Sequence, residues 1–391
     1  MPSYSRRQAL KTLPALAVGL SGCSMLSQDD EGKLPMQTAW HYRIDEPTHG
    51  LRPADGPLLV GSRSPFRDGT VLTAIDAETG DERWTVSGAK GRGSPVGADD
   101  EYAYVFSKAE EMFAVDYATG ETVWEKPIDH VDYADPGVVE YAPIPLDDSV
   151  VVPVSGTEND APDRLVGFDR ESGAHRFTYD LPASLAGAPA RDGRGVIVPL
   201  LDGTLRRMNS EGTEQWRLDV GATLSAVAVN DGTAYVGSAT EQLLAFDAES
   251  GERRWSGSLE NTVFTRPLVT DDTVYVGAAD YYLYAFDRVT GRRRWRTETA
   301  NAITSGPTMA GGKLVTLVGG NPRQRGDSGT VPFSPTALYV HDMKGALVNE
   351  YRFDGYLEGG QVRWGAVIGD GVYLGQGWQL ARLDEEVLSN E

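Results

Sequence analysis

Apolar residues run along this chain in short bursts separated by turn chemistry, with no stretch wound at helical spacing into a long amphipathic face. Between residues 224 and 258 the bursts read LSAVAV (224–229), TAYVGSA (233–239), LLAFDA (243–248) and RRWSGS (253–258). The separators are Asn230-Asp231-Gly232, Thr240-Glu241-Gln242 and Glu249-Ser250-Gly251. The bursts have the length and the β-branched and aromatic content of strands, and Asn, Asp, Ser and Gly between them supply tight turns. Four short strands in succession predict one antiparallel, four-stranded unit.

The unit recurs. AIDAETGDERW (74–84) returns as AVDYATGETVW (114–124), GFDRESGAHRF (167–177), AFDAESGERRW (245–255) and AFDRVTGRRRW (285–295). Two looser copies, RMNSEGTEQW ending at Trp216 and YVHDMKGALVNEY ending at Tyr351, complete the series. The aromatic positions Trp84, Trp124, Phe177, Trp216, Trp255, Trp295 and Tyr351 are 40, 53, 39, 39, 40 and 56 residues apart. A period near 40 with four strands per period excludes helical arrays and short-repeat solenoids, and predicts the blades of a β-propeller.

One copy is divided between the chain ends. VRWGAVIGDGVYLGQGWQLARLD (362–384) supplies three strands and stops at the Asp of the motif, while TAWHYRID (38–45) supplies a fourth, with Trp40 at the aromatic place. The predicted fold is therefore all-β: an eight-bladed propeller of four-stranded antiparallel blades, closed by pairing 38–45 with the C-terminal strands, which leaves no exposed sheet edge. Within each motif the Asp, as at Asp76, can accept turn N–H groups, Gly80 supplies a positive φ, and Trp84 docks on a neighbouring blade and buries a large area. These repeated Asp residues are expected to be structural and not catalytic. The docking set is Trp40, Trp84, Trp124, Phe177, Trp216, Trp255, Trp295 and Tyr351.

The motif A-[FV]-D-x-x-[TS]-G-x-x-x-W resembles the tryptophan-docking motif of the PQQ-binding-like, or quinoprotein-type, β-propeller family, over nearly all of the chain beyond residue 38. That resemblance implies one of two functions. One branch of the family is made of PQQ-dependent dehydrogenases, which place an adjacent-cysteine disulfide over the quinone and hold Ca²⁺ beside it; the other includes a non-enzymatic lipoprotein of the outer-membrane β-barrel assembly machinery. Here Cys23 is the only cysteine, and no motif matches the Ca²⁺ ligands or the catalytic Asp. The expectation is accordingly a non-catalytic binding scaffold without a cofactor, with a PQQ- and Ca²⁺-dependent oxidoreductase as the alternative.

Charge and the N-terminus place the chain in a cell. Residues 5–11 read SRRQALK, a twin-arginine pattern, followed by a short apolar stretch and by Leu20-Ser21-Gly22-Cys23, which resembles a lipobox. Residues 1–22 are expected to be a signal peptide, Cys23 the lipidation site, 23–37 a flexible tether and 38–391 the propeller, exported and anchored at the outer face of the cytoplasmic membrane. The chain carries 36 basic and 57 acidic residues, and loss of the first 22 residues takes the net charge from −21 to −24. Such acidity argues against nucleic acid as a partner. With 7 Lys against 29 Arg, the composition resembles that of proteins from salt-accumulating archaea, where screening suppresses self-repulsion. A monomer is expected.

Catalytic signatures are otherwise missing. There is no G-x-S-x-G elbow and no P-loop, and His41, His49, His130, His175 and His341 show no metal-ligand spacing. His175 and His341, inside the turn repeat, are expected at the surface. In a propeller, the segments leading into the innermost strands and the loops joining second to third strands surround one mouth of the central funnel. The leading segments read LRP (51–53), GSP (93–95), APIP (142–145), GAP (187–189), LSA (224–226), TRP (265–267), SGP (305–307) and RWG (363–365). That alignment puts Arg52, Arg266 and Arg363 at equivalent places, with Arg92 nearby and Trp364 and Trp378 on the same face. Together they form a candidate site for a polar or anionic ligand. Two insertions, 126–163 and 319–336, are candidate recognition loops, and the RGD at 325–327 is read as coincidence.

Overall fold

The computed structural model describes residues 38–44, 47–52, 56–62, 69–87, 94–107, 111–127, 141–156, 162–221, 225–263, 265–319, 335–352, 362–376 and 379–389. The expected signal peptide, Cys23 and the tether lie outside the described residues. The chain forms eight four-stranded antiparallel sheets, the blades of the predicted propeller. Blades 1 to 7 follow in chain order (47–87, 97–127, 144–180, 190–219, 228–258, 268–298 and 303–352), each running from its innermost to its outermost strand. Blade 8 takes its three inner strands from 362–383 and its outer strand from Thr38–Arg43, which pairs antiparallel with Gln379–Leu383. The ring thus closes between chain termini, and inner strands of successive blades touch around it.

The strands obey the composition that predicted them. In blade 6 the second strand, Thr273–Gly277, is buried throughout, and the third, Tyr282–Asp287, is buried at four central positions. The outer strand, Arg293–Glu298, has no buried position and alternates at its far end. Blade faces pack on one another, so the middle strands see protein on both sides and carry continuous apolar runs, while the outer strand meets water. Inner strands are shorter than the sequence suggests. In blade 5 the ladder covers only Ala228–Asn230, because Ser225 N–H instead reaches Gly237 O at 2.8 Å and Val227 N–H crosses to Ala188 O of blade 4 at 3.1 Å.

Joints between blades use the repeated turn. Asp76 Oδ1 accepts the N–H groups of Glu78 and Thr79, both at 3.0 Å, and Arg83 reaches back from the outer strand to Asp76 Oδ2 at 2.6 Å. The same strut recurs as Arg176–Asp169, Arg254–Asp247 and Arg294–Asp287, at 2.7, 2.7 and 2.8 Å. The preceding blade lays its aromatic ring on the glycine of this turn. A Cβ on Gly80 would stand 2.7 Å from the Trp40 ring, and one on Gly291 2.5 Å from that of Trp255, while φ at these glycines is 80° and 74°-like values recur, 69° at Gly291. Glycine is therefore required twice, for the backbone and for the space. Trp84 meets Gly120, Trp124 meets Gly173, Phe177 meets Gly212, Trp216 meets Gly251 and Trp295 meets Gly345 in the same way. Nε1–H of Trp40, Trp124, Trp216 and Trp255 also donates to the carbonyls of Ala77, Arg170, Ala248 and Arg288, at 3.0, 2.9, 3.1 and 2.9 Å.

The joint between blades 7 and 8 differs, because the chain ends where the eighth turn would be. A short 3-10 helix, Glu385–Leu388, takes its place, capped by the Asp384 carboxylate. Val387 and Leu388 are buried in the core between these blades with Tyr351 packed against it. Asn349 Nδ2 donates to Tyr351 Oη at 2.9 Å and to Ser389 O at 2.8 Å, tying the tail to the outer strand of blade 7.

Candidate functional site

Strand direction assigns every loop to one of two faces. Hairpins between first and second strands, and the turns between third and outer strands, share a lower face. The segments leading into first strands and the loops between second and third strands share an upper face.

On the lower face the hairpins carry carboxylates, and each of several is matched by an arginine. Asp99 pairs with Arg170 at 2.7 Å, Asp192 with Arg207 at 2.6 Å, Asp231 with Arg288 at 2.7 Å and Asp272 with Arg294 at 2.6 Å. Asp147 and Asp148 are held by Arg191 and Arg176 at 2.5 and 2.8 Å. Much of the arginine content is thereby spent on fastening a strongly acidic chain. Asp76, Asp247 and Asp287 are held below the usual carboxylate range chiefly by their Arg partners, and Asp169 chiefly by the Ser172 hydroxyl and then Arg176.

The funnel residues expected from the sequence do not all share a face. The innermost strand of blade 1 is Pro47–Leu51, paired with Leu58–Ser62. Arg52 therefore follows that strand instead of leading into it, and lies on the lower face with its Nε–H on Gly56 O at 3.1 Å. The match of LRP to TRP is a coincidence of spelling: only Ile44 to Glu46 separate the blade 8 outer strand from blade 1, which forces the inner strand to begin earlier. Arg363 and Trp364 lie in the inner strand of blade 8, Val362–Ile368, where only the backbone is described. Arg92 and Trp378 fall outside the described residues.

Arg266 is where the upper-face expectation survives. Strand register identifies its counterparts around the ring. Leu268 pairs with Tyr275, as Ala228 does with Tyr235, Ala190 with Ile197, Ile144 with Val151, Gly97 with Tyr104, Thr308 with Val315, Ala366 with Tyr373 and Leu51 with Leu59. Two residues before each, the ring reads His49, Pro95, Ala142, Ala188, Ala226, Arg266, Gly306 and Trp364. Five of these are Pro, Ala or Gly, and the blades draw close there: a Cβ on Gly306 would lie 2.7 Å from Arg266 O, and one on Gly187 2.4 Å from Ala226 N.

From this ring of small residues Arg266 extends past blade 5, and Nη2–H donates to Pro189 O of blade 4 at 3.2 Å. Its surface is exposed, yet desolvation by the surrounding protein lowers its pKa. A rim arginine would keep its water and a core arginine would lose its exposure. A side chain standing within an open channel, walled on several sides, satisfies both observations. Among the described residues no carboxylate lies within ion-pair distance of Arg266, in contrast to the paired arginines below.

The histidines divide. His175 is exposed, with Nε2 3.0 Å from Thr178 Oγ1. His341 is fully buried, correcting its expected place at the surface. It occupies the third-strand position that holds Phe246 in blade 5 and Phe286 in blade 6, one residue before the turn Asp. Its ring stacks on Tyr339 at a centroid distance of 6.1 Å, and neither ring nitrogen has a hydrogen-bond partner among the described residues. The turn motif fixed its place in the chain, but an apolar slot between blades decided its surroundings. Among the described residues no three His, Cys, Asp or Glu side chains come together so as to hold a metal ion. The Ca²⁺ of the quinoprotein dehydrogenases thus finds no donor set there.

Both insertions open on the upper face. The first is flanked by the end of blade 2, Pro127, and by the loop between the second and third strands of blade 3; the second lies between Gly319 and Pro335 of blade 7, across the ring from blade 3. Residues 128–140, 157–161 and 320–334 are outside the described residues, the RGD among them. At the base of the blade 3 loop, buried Asp163 accepts Gly156 N–H at 3.0 Å and Leu185 N–H at 2.8 Å.

Comparison with known proteins agrees with this architecture. A profile of the family described as "Outer membrane protein assembly factor BamB" matches residues 67–153, 134–226 and 202–352, well over half of the chain. The structure is similar to the crystal structure of BamB from Moraxella catarrhalis, with a TM-score of 0.64 and 18% identity over 89% of this chain and 97% of that one. It is also similar to the computationally designed Ika8 protein, with a TM-score of 0.66 and 15% identity over 89% of this chain and 98% of that one. A search of curated proteins found no match.

Proposed function

Because the chain belongs to the family of the outer membrane protein assembly factor BamB, we propose that it is a non-catalytic scaffold that binds other proteins outside the cytoplasm. In this reading the twin-arginine segment exports it folded, and Cys23 carries the lipid that holds it at the outer face of the cytoplasmic membrane. The observation that carries the proposal is the division of labour between repeated and unrepeated residues. Asp, Arg, Gly and Trp that recur from blade to blade are engaged in joints. What varies is the upper face, where blades 3 and 7 open into long insertions on opposite sides of the ring. A rigid ring with two separated loops on one face can hold a partner at two points, which raises its effective affinity without any moving part.

The test is capture of partners by the purified full chain and by a variant with residues 320–334 replaced by a short Gly-Ser turn. The expected result is a partner retained by the first and lost by the second at unchanged melting temperature. Equal retention by both would exclude the blade 7 insertion from recognition. Stoichiometric PQQ binding with dye-linked alcohol oxidation, after addition of PQQ and Ca²⁺, would replace the scaffold reading with the oxidoreductase one.

A further inference from the structure

We propose that Arg266 makes the upper funnel a binding site for a small carboxylate. The guanidinium is planar, permanently charged and carries five N–H donors. Only one polar partner is identified among the described residues, the neutral Pro189 carbonyl at 3.2 Å, so most of the donors and all of the charge are left for a ligand. Elsewhere in this acidic chain arginines meet carboxylates, with Arg170, Arg207, Arg288 and Arg294 each within 2.7 Å of one. Arg266 departs from that rule at the one register position where its neighbours are smallest.

Size follows from the walls. Pro95, Ala142, Ala188, Ala226 and Gly306 stand at the same register as Arg266 in five other blades, and Ala142, Ala188, Ala226 and Gly306 retain partial solvent exposure while Val227 and Pro189 beside them are buried. The lining therefore leaves a narrow water-filled space and adds no long side chain that could neutralise the cation. Tethering to Pro189 O lays the guanidinium along the wall past Ala226, which pre-organises its fork and reduces the ordering cost of binding. A flat, two-oxygen carboxylate matches that fork with two parallel N–H···O bonds, better than a tetrahedral oxyanion whose third oxygen would face alanine. No bond is made or broken; the site holds its ligand. The inference stands independently of which protein the outer loops bind.

Titration of the full chain with ¹³C-acetate and, separately, with inorganic phosphate, at constant chloride and ionic strength, tests the site by NMR line broadening. Wild type should bind acetate saturably at one site and phosphate less tightly. Arg266→Gln should weaken acetate binding roughly tenfold or more, and Arg266→Lys, which keeps the charge without the fork, should fall between them. Thermal melts of all three proteins establish that they fold. Equal acetate affinity in wild type and Arg266→Gln would overturn the proposal. So would the absence of saturable acetate binding to wild type, or binding of phosphate alone.

Discussion

Replacing His341 by Phe should stabilise the propeller, and the gain should grow as the pH falls. The imidazole is fully buried, stacked on Tyr339, without a hydrogen-bond partner for either nitrogen among the described residues. Burial depresses its pKa from 6.5 to about 4, with the adjacent Asp342 carboxylate opposing the shift. A histidine that stays neutral when folded but protonates when unfolded gives the unfolded state the proton advantage. Stability is therefore full above pH 6.5, falls as the pH drops from there towards 4, and levels off below. With one pKa unit worth about 1.4 kcal/mol, the loss approaches 3 kcal/mol in all and is about 2 kcal/mol at pH 5. Phe is accommodated because Phe246 and Phe286 fill the same slot in blades 5 and 6. At pH 7.5 it removes two unpaired buried polar atoms, a gain of about 1–3 kcal/mol. Urea unfolding followed by tryptophan fluorescence, at fixed salt and at several pH values between 7.5 and 4.5, measures both quantities. If the variant and wild-type stabilities stayed parallel across that range, the buried, neutral His341 would be disproved.

Trp255→Ala should cost about 3–5 kcal/mol in unfolding free energy, since its buried ring covers Gly291 and its Nε1–H is bonded to Arg288 O; calorimetry would show one lowered transition. Gly80→Ala should destabilise by more than about 1 kcal/mol, because φ is 80° and the new methyl would sit 2.7 Å from Trp40, and Trp40→Ala in the same chain should recover part of the loss if the clash contributes. Deleting residues 385–391 exposes the core that Val387 and Leu388 cover, and should cost roughly 3 kcal/mol or more while loosening the pairing of Thr38–Arg43 with Gln379–Leu383, detectable as faster hydrogen exchange there. The struts predict acid sensitivity of opposite origin to His341. Asp247, held near 2, contributes stability that is present above its ordinary value of 3.8 and lost as the pH falls towards 2; Arg254→Ala should flatten the unfolding curve in that window, with a small effect because the pair is partly exposed.

The architecture was legible in the sequence because a blade is a local object. Asp76, Gly80 and Trp84 lie within nine residues, their turn chemistry works at short range, and a joint that must be made eight times is written eight times. Even the divided blade could be read, since Trp40 and Asp384 each keep half of the same motif. The lower-face pairs were not legible. Arg170 and Asp99 are 71 residues apart in sequence, and an acidic, arginine-rich chain offers too many alternative pairings for spacing to select one. Arg52 shows how a three-letter likeness fails: which face a loop occupies depends on strand register, and one inner strand placed three residues earlier sends the side chain to the other mouth of the ring. His341 shows the converse, a polar residue in a polar-looking motif that the stacking of two blades turns into core. Sequence by itself determined the repeat, its strands and the closure, all of which rest on neighbours along the chain. Only the tertiary structure decided which cations are neutralised and left Arg266 without a carboxylate, because charge pairing and enclosure depend on distances through space that eight blades set together.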